Sequence, residues 1–131
     1  MAGLANPVLT LTRDRAAKTV RAVARCRINF NPVELEAMQQ GLLRFRLRAR
    51  LFGADPVVLG GDSNLFTFVP PKIYPDATPN NFEDATFEET LGEVVLDEDL
   101  GTEEIFARFE LTNELVQTAI ARNSPVVSGR V

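Results

Sequence analysis

Histidine and tryptophan are absent from the 131 residues, and cysteine and tyrosine occur once each, as Cys26 and Tyr74. Without an imidazole there is no Ser-His or Cys-His nucleophile pair, no imidazole base and no His-bound zinc. One cysteine permits neither an internal disulfide nor a thiolate cluster. Lysine is nearly as scarce, at Lys18 and Lys72, and serine is confined to Ser63, Ser124 and Ser128. Long apolar runs are missing too. The opening MAGLANPVLTLTRDR has no basic residue before Arg13 and no apolar stretch of signal-peptide length. Nothing in the sequence is long and apolar enough to span a membrane as a helix. These absences predict a cytoplasmic protein with a reduced, buried Cys26, whether alone or as part of a larger particle.

What is present is an ordinary globular composition, 45% apolar and 24% charged, in a length that suits one domain over residues 1–131. The net charge of −4 hides a strong split. Residues 1–60 carry ten basic side chains against four acidic ones, and the remainder carries four against fourteen. A chain divided in this way pairs its halves internally or shows oppositely charged faces to other molecules.

Strict alternation is the strongest local signal. Val20, Ala22, Ala24, Cys26, Ile28 and Phe30 alternate with Arg21, Arg25, Arg27 and Asn29, with Val23 between them. Leu43, Phe45, Leu47, Ala49 and Leu51 alternate with Arg44, Arg46, Arg48 and Arg50. Each pattern predicts a long strand with one buried face. Between them, NPVELEAMQQG predicts a short helix over residues 31–41, with Asn31 as cap, Pro32 in the first position, Glu34 near the free N–H groups and Gly41 closing the end. Shorter strands are expected at Val8 to Thr12, Leu65 to Val69 and Ile105 to Leu111, with Thr86 to Leu96 extended and broken at Gly92. Four prolines between Pro70 and Asn81 predict a long irregular crossover. Residues 113–122 read as helix or strand; a loop or helical turn, followed by a strand over Pro125 to Val131, is the preferred reading. Seven or eight short strands with such a crossover describe an all-β, antiparallel two-sheet sandwich with nine phenylalanines to fill its core.

Two features are able to carry chemistry. In LDEDLGTEE, Asp97, Asp99, Glu103 and Glu104 crowd carboxylates around a glycine turn just before a strand. Oxygen-rich clusters hold hard cations, and calcium is the cofactor this loop would take. The spacing is not that of an EF-hand. If the strands alternate up and down, Asp55 and Asp62 approach the same pole. Over sixteen residues, LDEDLGTEEIFARFEL resembles the third calcium loop of the synaptotagmin-type, calcium-dependent phospholipid-binding domain, with Asp97 and Asp99 matching the family's Asp-x-Asp pair. The later acids are Glu where that family has Asp, and the aspartates of its first loop have no counterpart. The alternative reading is an acidic turn that keeps a sheet end soluble.

The second feature is the arginine face. Arg44, Arg46, Arg48 and Arg50 project from one side of one strand, and if the two long strands are neighbours, Arg21, Arg25 and Arg27 join them. Guanidinium groups so placed repel one another and need compensation from the chain's own acids, a polyanion or an acidic protein surface. Nucleic acid is disfavoured, because the pI is near 4.9 and the face offers no aromatic side chains for bases. Catalysis is disfavoured as well, since paired carboxylates here lack an apolar pocket and a sugar site lacks its tryptophan platforms. No catalytic residue and no small-molecule substrate is assigned. The sequence thus points to a non-catalytic interaction or assembly module docking onto protein partners or copies of itself, with a calcium-dependent binding module as the alternative.

Overall fold

A computed structural model describes residues 2–54, 63–75, 80–96 and 104–128. In chain order its elements are β1 (Gly3–Asp14), β2 (Thr19–Asn29), α1 (Pro32–Gln39), β3 (Phe45–Ala54), β4 (Ser63–Thr67), β5 (Lys72–Tyr74), β6 (Phe82–Gly92), α2 (Glu93–Leu96), β7 (Glu104–Asn113), β8 (Thr118–Asn123) and β9 (Val127–Ser128). The architecture is all-β with two antiparallel sheets. The first has the order β1-β2-β6; the second runs β4-β3-β7-β8, with β5 also on β3 and β9 on β7.

The two alternating segments form the middle strands of these sheets. Val20, Ala22, Ala24 and Ile28 on β2, and Leu47, Ala49 and Leu51 on β3, are fully buried. Together with Ile105, Ala107, Phe109 and Leu111 on β7 they belong to one apolar cluster. Aromatic contacts knit the sheets across it: Phe87 on β6 lies 5.7 Å from Phe68 and 6.4 Å from Phe109, and Phe30 lies 5.2 Å from Phe45. Full burial of each large apolar side chain contributes about 1.5–3 kcal/mol, so these strands carry much of the stability.

The helix forms as its caps dictate. Asn31 accepts from the Glu34 backbone N–H at 2.8 Å while the Glu34 carboxylate accepts from the Asn31 N–H at 2.9 Å, a reciprocal capping box. The other Glu34 oxygen accepts from the Ala2 N–H at 2.8 Å, tying the start of the chain to the helix. Gly41 follows the helix at φ +73, a conformation costly for any residue with a Cβ.

Several boundaries differ from the sequence reading. The first strand is twelve residues long and carries a bulge between Ala5 and Val8, with Asn6 at φ +52. The strand expected from Thr86 begins at Phe82 and ends at Gly92, and the four residues beyond it turn as α2. Short β5 pairs with β3 inside the expected crossover. Residues 118–123 form a strand instead of a loop or helical turn, because Leu111 and Ile120 are register partners in a β7–β8 hairpin that tertiary pairing completes.

Candidate functional site

The two arginine rows lie on different sheets, which corrects the expectation of one continuous basic surface. Since β2 is flanked by β1 and β6, and β3 by β4, β5 and β7, the rows occupy the outward faces of separate sheets. Each meets acids drawn mainly from the second half of the chain.

On the first sheet, β6 offers Asp84 and Glu88. Arg27 grips Asp84 through two hydrogen bonds, Nε to Oδ1 at 2.9 Å and Nη2 to Oδ2 at 3.3 Å, and its guanidinium rests 4.2 Å from the Phe82 ring centroid. Hydrogen bonding to Arg27, followed by the attraction of its charge, holds the Asp84 carboxyl below its ordinary range. The same pairing pushes the Arg27 guanidinium up. Arg21 Nε donates to Glu88 at 2.6 Å. Between these pairs, exposed Arg25 is the register partner of Thr86 and of Val8.

On the second sheet, Arg46 pairs with Glu114 at 3.0 Å and Arg50 approaches Glu110 at 3.9 Å. These pairs are only partly exposed; fully exposed ones are each worth about 0–1 kcal/mol. Arg44 is exposed and Arg48 half-buried, and among the described residues neither has a carboxylate within ion-pair distance. The row then ends on an aromatic pair that the sequence reading missed. Phe52 stacks on its register partner Phe106 at 5.6 Å and 10°, with Arg108 at 4.5 Å and Arg50 at 5.3 Å from the Phe52 ring. Parity alone was the available signal, since Phe52 continues the even-numbered row. At 7% and 4% exposure these rings are buried and are not open platforms for bases.

At the pole where α1 ends, Leu42 and Leu115 are 62% and 65% exposed and line a groove with Met38, Arg44 and Pro75. The Glu114 N–H donates to the Arg44 carbonyl at 2.9 Å and holds the two walls together. At the opposite pole, Glu104 opens β7, exposed, opposite Ala54 at the end of β3. Asp97, Asp99 and Glu103 lie outside the described residues, as do Asp55 and Asp62. Among the described residues no group of three or more side chains is placed to hold a metal.

Cys26 faces the core, where burial above all, with some help from the charge of Asp84, pushes its thiol up to about 12. No helix among the described residues is long and apolar enough to cross a membrane.

No family model matches this chain, and no curated protein matches it. Among solved structures it is similar to the structural-genomics target SoR45, at 10% identity over 97% of this chain and 84% of that one, with a TM-score of 0.44. It is also similar to the putative ApaA protein from Bordetella pertussis, at 8% identity over 98% of this chain and 89% of that one, with a TM-score of 0.40. Neither likeness bears on what the chain binds.

Proposed function

We propose that this chain is a non-catalytic interaction and assembly module that docks through the outward face of its second sheet onto an acidic protein surface, either a partner's or the acidic pole of another copy. The carrying observation is that among the described residues Arg44 and Arg48 have no carboxylate within ion-pair distance, although Glu110 stands opposite Arg48 in the ladder, while Arg46 engages Glu114 and Arg50 approaches Glu110. Exposed Leu42 and Leu115 next to Arg44 supply apolar area for such a contact. A protein partner suits this face better than nucleic acid, because the chain is acidic, with a pI near 4.9, and Phe52 and Phe106 are buried. A buried free thiol suits the reducing cytoplasm.

Native mass measured at low and high salt tests this reading. Contacts between exposed charges are screened over about 10 Å at 0.1 M salt. Association at low salt, lost at high salt and lost in Arg44→Glu with Arg48→Glu, is the expected result. A protein that is monomeric at high concentration and low salt serves a foreign partner only. If the double variant also retains every partner captured by the parent, the reading fails.

A calcium-dependent module is the second reading. In its favour is the Ala54–Glu104 register pair: the segment bearing Asp55 and Asp62 begins beside the point where the segment bearing Asp97, Asp99 and Glu103 ends.

A further inference from the structure

The outward face of the first sheet shows a broken pattern. Along β2 the arginines are Arg21, Arg25 and Arg27, and along β6 the side chains on the same face run Phe82, Asp84, Thr86, Glu88 and Thr90. Arg27 takes Asp84 and Arg21 takes Glu88. Arg25 is thus left between two closed ion pairs, facing the hydroxyl of Thr86 across one ladder and the aliphatic Val8 across the other. Three cations meet two carboxylates, and among the described residues no acid remains within ion-pair distance of the middle one.

The surface is also opened there. The β1 bulge between Ala5 and Val8, with Asn6 at φ +52, interrupts the β1–β2 ladder beside Arg25. Bulges re-aim side chains and break pairing, and the result here is a cleft of about 410 Å³ lined by Asn6, Thr10, Arg25 and Thr86 among others. Its polar equipment is the guanidinium forks of Arg25 and Arg27, two hydroxyls and a carboxamide, and of the two forks Arg27 is already engaged by Asp84. Asp84 also lines the cleft, but its charge is met by the bidentate grip of Arg27. Cys26 also borders the cleft, but its side chain belongs to the buried core cluster on the other side of the sheet.

We propose that this cleft binds the phosphate group of a small molecule, which stands where the row lacks a carboxylate and accepts hydrogen bonds from Arg25 and the threonine hydroxyls. A planar guanidinium fork matches two oxygens of a phosphate, and neighbouring hydroxyls satisfy the others. The site lies on the first sheet and is independent of the docking face proposed on the second.

Inorganic phosphate is the probe. The full chain is melted in rising phosphate with chloride adjusted to hold ionic strength constant, so that general screening is removed from the comparison. A saturable rise in melting temperature is expected, as for any ligand bound only by the folded state. Arg25→Gln should raise the half-saturating phosphate concentration at least about tenfold, the scale of one charged hydrogen bond. Thr86→Glu supplies the missing carboxylate from within; it should melt higher than the parent without phosphate and lose the phosphate response. Arg48→Glu, on the other sheet, should keep it. No response in the parent, an equal response in Arg25→Gln, or a full response in Thr86→Glu would each overturn the proposal. Because Arg25 and Thr86 are exposed, circular dichroism of both variants should match the parent, and backbone amide shifts at Val8, Arg25 and Thr86 locate the site by a second measurement.

Discussion

Ala54 and Glu104 are register partners at one end of the β3–β7 ladder, so the chain leaves one acid-bearing segment and enters another at adjacent points. A cation held only by the folded state raises stability by mass action. Under the calcium-dependent reading, melting in millimolar calcium should exceed melting in chelator, and Asp97→Asn with Asp99→Asn should erase the difference. An unchanged melting temperature in the parent would sink that reading.

The inward and outward sides of β3 should respond oppositely to charge. Leu47 is fully buried and Phe45 is 3% exposed, so Leu47→Asp or Phe45→Asp places an unpaired carboxylate in the core and should unfold the protein, a loss of more than about 4 kcal/mol. Arg46→Glu forfeits one partly exposed pair with Glu114, and Arg48→Glu sets a carboxylate opposite Glu110; each should cost about 1 kcal/mol, well below the core substitutions. Denaturant midpoints of the four variants measure this. Damage from the arginine variants equal to that from the aspartates would contradict the observed register.

Acid should weaken the Arg27–Asp84 pair. The folded state holds the Asp84 carboxyl below its reference value of 3.8, so the stabilisation is complete above that value and disappears as pH falls through the lower, folded one. The pair is solvent-exposed and screened, so its stability contribution is small, but the titration itself is measurable. Followed by NMR, Asp84 should titrate below 3.8 in the parent and return towards it in Arg27→Gln. Titration at or above 3.8 in the parent would show that the pair does not form in solution.

Cys26 should be silent towards thiol reagents while the protein is folded. Its thiol is raised from 9.0 to about 12, so the folded state keeps a proton that the unfolded chain releases. That contribution to stability is fully present below pH 9 and declines as pH rises towards 12. Alkylation at pH 8 should therefore proceed only at the rate of opening and accelerate sharply in denaturant. Fast labelling of native protein would place the thiol at the surface.

Alternation made the secondary structure readable where a strand is buried on one side only. Val20 to Phe30 and Leu43 to Leu51 carry their own inside and outside, and the Asn31–Glu34 capping box is equally local, since its partners are three residues apart. The all-β, two-sheet class follows from such segments, as does the burial of Ile105, Ala107, Phe109 and Leu111. Pairing is another matter. Whether Arg21, Arg25 and Arg27 share a surface with Arg44 to Arg50 depends on which strand lies beside which, and that is settled by burial summed over both sheets, to which no single segment holds the key. The same long-range pairing decided that residues 118–123 would be a strand, that Phe52 would meet Phe106, and that Asp84 and Glu88 would answer Arg27 and Arg21. It also left Arg25 facing Thr86. The residues in each row were written in the sequence, but which charges cancel and which remain free arose only when strands distant along the chain came to lie about 5 Å apart.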